Sequence, residues 1–135
     1  MVQKIGILCG ANGLGRSVCL VKNKIEKMKA LFVYGSLGPG KPNEHKLQKI
    51  GGFWKKGFVR GKLFDEGWGS KLGFPGIRID DQAEIVEGDV FFSENLESYL
   101  KVMDEFEGAD YIRSNTRVQI KDSDEQVEAY IYVLR

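Results

Sequence analysis

Leu31-Phe32-Val33 is an apolar run of strand type that halts at Tyr34-Gly35-Ser36-Leu37 and passes into Gly38-Pro39-Gly40-Lys41-Pro42-Asn43. A ladder cannot continue through that segment, so a buried strand has to end in a turn. Gly35 lets the backbone bend or be approached closely. A strand that ends this way leaves backbone N–H groups without ladder partners, and a buried orphan donor is costly. A carboxylate or carbonyl oxygen of a small ligand would satisfy such donors. An ordinary turn is the plainer alternative.

The chain has 135 residues, 42% apolar and 29% charged, which suits one globular domain with a real core. Its net charge of +1 gives no long-range attraction to nucleic acid or to an anionic membrane. No apolar run approaches the ~20 residues that cross a bilayer. The apolar run after Met1-Val2-Gln3-Lys4 is too short for a secretory signal. Cys9 and Cys19 suggest neither a disulfide framework nor a zinc site. A cytoplasmic protein, a monomer without cofactor or metal, is expected. The single histidine, His45, lies among charges in Asn43-Glu44-His45-Lys46-Leu47. A Ser-His or Cys-His nucleophile would have to use it. Otherwise the chemistry must come from carboxylates, tyrosines, backbone groups and the substrate.

Residues 1–27 read differently from the rest. A strand-like Lys4–Cys9, the glycines of Gly10-Ala11-Asn12-Gly13-Leu14-Gly15 and a helical spacing of Leu14, Val18, Val21 and Ile25 resemble the start of a nucleotide-binding unit. The glycine order is not that of the dinucleotide fingerprint, and no parallel β-α-β sheet follows. An N-terminal extension, or an upstream start before a domain at 28–135, is the better reading.

Beyond the opening strand, Asn43 is placed as the cap of a short helix through Leu47 and Ile50 that stops at Gly51-Gly52. Strands are expected at 58–64, 76–79 and 85–92, with a glycine-rich loop from Asp65 to Pro75. Ser93 or Asn95 caps a helix whose stripe is Leu96, Tyr99, Leu100, Met103 and Phe106. Two strands, 111–121 and 126–134, flank the turn Asp122–Glu125. In the second, Val127, Ala129, Ile131 and Val133 share one face, and Glu128, Tyr130 and Tyr132 the other. Many short strands with few helices point to an α+β fold, a small mixed barrel that leaves no exposed edges.

Glu107 falls four residues after Met103, seven after Leu100 and eleven after Leu96. Those spacings place a carboxylate on the buried stripe. Such a group must be paired, hydrogen-bonded or protonated, and is often functional. Pairing with Arg113, or escape to solvent past Gly108, is the structural alternative.

Val33-Tyr34-Gly35-Ser36-Leu37, Gly40-Lys41-Pro42-Asn43, and Met103-Asp104-Glu105-Phe106-Glu107-Gly108 with Tyr111-Ile112-Arg113 together resemble the γ-glutamylcyclotransferase-like family, which includes γ-glutamylamine cyclotransferases and AIG2-like proteins. The likeness runs from Met28 to Arg135. It implies a small, mostly antiparallel β-barrel with flanking helices. It implies a pocket in which the backbone of Tyr34, Gly35, Ser36 and Leu37 holds a γ-glutamyl head and Glu107 is the acid–base. Tyr111 and Arg113 match the family pattern and are assigned to substrate binding. The implied reaction is closure of the substrate's α-amine onto its γ-carbonyl, giving 5-oxoproline and a free amine. A binding module using the same pocket is the second reading. An adaptor that docks through Trp54 and Trp68 is the third.

Overall fold

A computed structural model describes residues 28–135. The nucleotide-unit reading and the choice between extension and upstream start fall on residues 1–27, outside those described. The elements in order are strand β1 (Lys29–Val33), helix α1 (His45–Gln48), strand β2 (Phe53–Phe64), a 3-10 turn (Trp68–Leu72), strand β3 (Gly76–Ile79), strand β4 (Ile85–Ser93), helix α2 (Leu96–Glu107), and strands β5 (Tyr111–Ile120) and β6 (Gln126–Leu134).

The strands follow the order β3-β2-β4-β1-β6-β5, and β2 also pairs with β5. Five strands therefore close on themselves, and β3 is an extra strand hung on β2. All pairings are antiparallel except β1 with β6. The expected mixed, mostly antiparallel α+β barrel is thus the observed fold. No helix among the described residues is long and apolar enough to cross a membrane.

Two cores explain the apolar pattern. Phe32, Val59, Val90, Val118, Ala129 and Ile131 fill the barrel. Leu31, Val33, Phe91, Leu100, Met103 and Tyr132 belong to a second core, between the barrel wall and α2. Residues on a strand alternate between faces, so β1 is apolar without a break because both its faces are covered. For the same reason the second face of β6 is not polar. Tyr132 and Leu134 are buried there against the residues that α2 presents.

Three local expectations change. β2 begins at Phe53 rather than Phe58, because Phe53–Gly57 pairs with β4. The lysines at 55 and 56 obscure that pairing in the sequence. Asn43 does not cap α1. Its side chain donates to Ser36 Oγ at 2.9 Å and its N–H to Ser36 O at 2.7 Å, so it fastens the turn after β1 instead. At the start of α2, Asn95 makes no side-chain cap. Its amide donates to Ile50 O at 2.7 Å, and Ser93 Oγ donates to Gly51 O at 2.6 Å. These two residues tie α2 to the segment before β2.

Candidate active site

β1 delivers the chain to Tyr34 at one end of the barrel, and the segment Gly35–Asn43 folds back there. Gly38 N–H donates to Gly35 O at 3.2 Å, and Asn43 holds Ser36 through both its backbone and its side chain. The N–H groups of Gly35, Ser36 and Leu37 donate no hydrogen bond among the described residues.

Helix α2 approaches from the other side. Leu96, Leu100 and Met103 are buried on its inner stripe, and Glu107 continues that stripe at 8% exposure. The turn and the helix end meet at a cavity of about 50 Å³. Tyr34, Gly35, Ser36, Leu37, Glu107 and Tyr111 all line it. Arg113 does not. Its guanidinium pairs with Asp104 at 3.2 Å and lies over the Tyr130 ring, outside the cavity. His45 is exposed at the start of α1 and does not line the cavity either.

The Glu107 carboxyl takes part in no hydrogen bond or ion pair with the described residues. Burial pushes it up to about 7, because a charge taken out of water without compensation is disfavoured. Three phenols stand near enough to feel its charge: Tyr34, Tyr111 and Tyr132. All three are raised from the ordinary tyrosine range, chiefly by burial, and stay protonated. Two of these hydroxyls donate elsewhere. Tyr34 donates to Tyr132 O at 2.7 Å and accepts from Ile77 N–H at 3.1 Å. Tyr132 donates to Asp104 Oδ1 at 2.6 Å. Tyr111 accepts from Gly69 N–H at 3.3 Å.

The remaining wall comes from the glycine-rich loop between Asp65 and Pro75. Trp68, Gly69, Phe74 and Pro75 line the cavity. Trp68 Nε1 donates to Glu107 O at 2.8 Å, and its ring meets Phe106 and Tyr111 edge-on at 5.2 and 6.2 Å. Trp68 therefore serves as a cavity wall. Trp54 packs on Phe91 at 4.8 Å in the outer core. Tyr132 is a lining residue that was not among the site residues expected from the sequence. Its signal was the pair of tyrosines on the second face of β6, which suits a covered surface better than an open one.

Among the described residues, the site thus combines backbone donors that have no acceptor with a carboxyl that burial pushes up to about 7. It can hold a carbonyl oxygen, accept a proton and return it.

Comparison with known proteins places this geometry in a family. The chain is similar to the crystal structure of YkqA from Bacillus subtilis, with 23% identity and a TM-score of 0.61 over 80% of this chain. It spans only 36% of that larger protein. It is also similar to an AIG2-like protein from Mus musculus, with 22% identity and a TM-score of 0.59, covering 78% of this chain and 76% of the mouse one. A third similar structure is described as a gamma-glutamyl cyclotransferase, with 16% identity, a TM-score of 0.55, and coverage of 80% of this chain and 67% of the other. A search of curated protein sequences gave no match. The family described as gamma-glutamyl cyclotransferase, AIG2-like, matches residues 31–135. Matched over that span, the chain belongs to the gamma-glutamyl cyclotransferase, AIG2-like family.

Proposed function

We propose that the protein is a γ-glutamyl(amine) cyclotransferase-type enzyme, with Glu107 as its proton carrier. The observation that carries this reading is that, among the described residues, the buried Glu107 carboxyl has no hydrogen-bond partner and lies on the same cavity as the N–H groups of Gly35, Ser36 and Leu37, which have no acceptor there either.

A γ-glutamyl amide brings its own nucleophile. Its α-amine attacks the γ-carbonyl, a C–N bond forms, and a five-membered lactam closes. The amide C–N bond then breaks and releases the amine. Well-oriented intramolecular attack supplies roughly 7–11 kcal/mol, so no serine, cysteine or metal is required. The turn N–H groups stabilise the oxyanion. Glu107 takes the proton from the attacking amine and hands it to the departing one. An ordinary glutamate near ~4.3 lies about 3.5 units below an α-ammonium near ~8, a mismatch of ~5 kcal/mol. With Glu107 at about 7, the mismatch falls to ~1.4 kcal/mol.

The test is 5-oxoproline release from a panel of γ-glutamyl amides, with ligand affinity measured in parallel. Glu107→Gln keeps size and much hydrogen-bonding capacity but cannot accept the proton. It should bind and lose turnover by ~10²-fold or more. Ser36→Ala leaves the turn's N–H groups in place and should change turnover far less. Binding by the wild-type protein without 5-oxoproline release would favour the binding-module reading. Full turnover by Glu107→Gln would remove the assigned role.

A further inference from the structure

Arg113, Asp104 and Tyr132 form a chain of contacts that starts outside the cavity and ends on its wall. Arg113 and Tyr132 are cross-strand partners on β5 and β6. Arg113 Nη1 donates to Asp104 Oδ1 at 3.2 Å and stands 3.2 Å from Oδ2, while the Tyr132 hydroxyl donates to the same Oδ1 at 2.6 Å. Asp104 lies one turn before Glu107 on α2. Tyr132 is held at both ends, since its carbonyl accepts from the Tyr34 hydroxyl at 2.7 Å.

The Tyr132 ring and Glu107 line one cavity, and a tyrosine there has a donor to offer a buried carboxylate. The donor is spent on Asp104 instead. We propose that Asp104, clamped by Arg113, is a positioning residue for Glu107: it keeps the Tyr132 hydroxyl on itself and off the Glu107 carboxyl. This gives Arg113 a part in the site that needs no contact with substrate. The inference rests on Glu107 being the proton carrier. A hydrogen bond to the ionised carboxyl would favour the charged form and weaken it as a base.

The titratable groups around Tyr132 come from several elements. α2 supplies Asp104 and Glu107. β5 supplies Tyr111 and Arg113. Tyr34 follows β1, and Arg135 follows β6 and lines the outer recess with Asp104 and Arg113. Tyr130 lies under Arg113, with its hydroxyl on Glu97 at 2.8 Å.

The experiment follows the Glu107 side-chain carboxyl by carbon-13 NMR through a pH titration without substrate. The titration is independent of turnover, so its failure is distinct from a failure to release 5-oxoproline. Three variants separate the contributions. Asp104→Ala removes the acceptor at an exposed helix position that alanine suits. Asp104→Asn removes the same charge but keeps an oxygen for Tyr132, so it reports any purely coulombic displacement. Asp104→Ala with Tyr132→Phe removes the released hydroxyl as well. The Glu107 midpoint should fall by roughly one pH unit more in Asp104→Ala than in Asp104→Asn. The added Tyr132→Phe should abolish that excess. Equal midpoints in Asp104→Ala and Asp104→Asn, or an excess that survives Tyr132→Phe, would overturn the proposal.

Discussion

Burial favours the protonated form of Glu107 over the ionised one, and this has a measurable sign. In the folded protein its carboxyl titrates at about 7, against an ordinary 4.5. Between those values the folded state binds more protons than the unfolded state, so this residue's contribution to stability declines as pH rises through that window and levels off above about 7. The full loss is on the order of 3 kcal/mol. Glu107→Gln carries no such charge. Its melting temperature should exceed that of the wild type above about pH 7.5, and the gap should close toward about pH 4. Thermal unfolding at three pH values checks this. A gap that is constant across the range, or of opposite sign at high pH, contradicts it. Glu107 was legible from sequence because Leu96, Leu100 and Met103 fix the helical stripe on which it falls. Arg113 was legible as a member of a motif but not in its place. Alternation on β5 puts Tyr111 and Arg113 on the same face, and the sequence does not say that Asp104 will capture the guanidinium and hold it outside the cavity.

At the scale of elements, the 3-10 turn at Trp68–Leu72 decides whether the cavity has a wall. Gly67 precedes it with φ +82°, and a Cβ there would stand 2.6 Å from Tyr111 Oη. Gly67→Ala should therefore lower the melting temperature through both backbone strain and collision with the hydroxyl. Tyr111→Phe removes the oxygen, though Tyr111 Cζ stays 2.8 Å from that Cβ and the bond from Gly69 N–H is given up, so the loss caused by Gly67→Ala should be smaller in a Tyr111→Phe background than in the wild type. An equal loss in both backgrounds would show that the collision with the hydroxyl does not matter. The strands and α2 were readable because periodicity carries them. The Asp65–Pro75 loop has no period, and its order comes from Trp68 bonding to Glu107 O and from Gly69 N–H bonding to Tyr111. Those are tertiary contacts, invisible to any pattern along the chain. The start of β2 was missed for a related reason, since Lys55 and Lys56 belong to a strand whose pairing with β4 outweighs their own polarity.

For the whole molecule, the barrel is closed by a narrow seam. β2 and β5 pair at Gly57↔Ile120 and Phe58↔Gln119, and a Cβ on Gly57 would lie 2.9 Å from both Gln119 O and Val118 Cγ1. Gly57→Val should spread this seam and destabilise the fold by about 1–3 kcal/mol, as overpacking does. Amide exchange at Lys121, whose N–H donates to Lys56 O across the seam at 2.9 Å, should accelerate more than at the β1–β4 ladder. Uniform acceleration would mean that the seam is not a separate weak point. The barrel itself was foreseeable from the number of short strands, but the identity of the closing pair was not, because it joins residues with no sequence signature beyond a glycine. The parallel pairing of β1 with β6 carries a consequence in time. The Tyr34 hydroxyl rests on a carbonyl 98 residues further along the chain. The closure entropy of that long loop has to be met before the pairing returns anything. The cavity is thus expected to be among the last parts of the molecule to exist during refolding. Trp68 fluorescence, which reports the cavity wall, should change only with the slowest phase and never ahead of it.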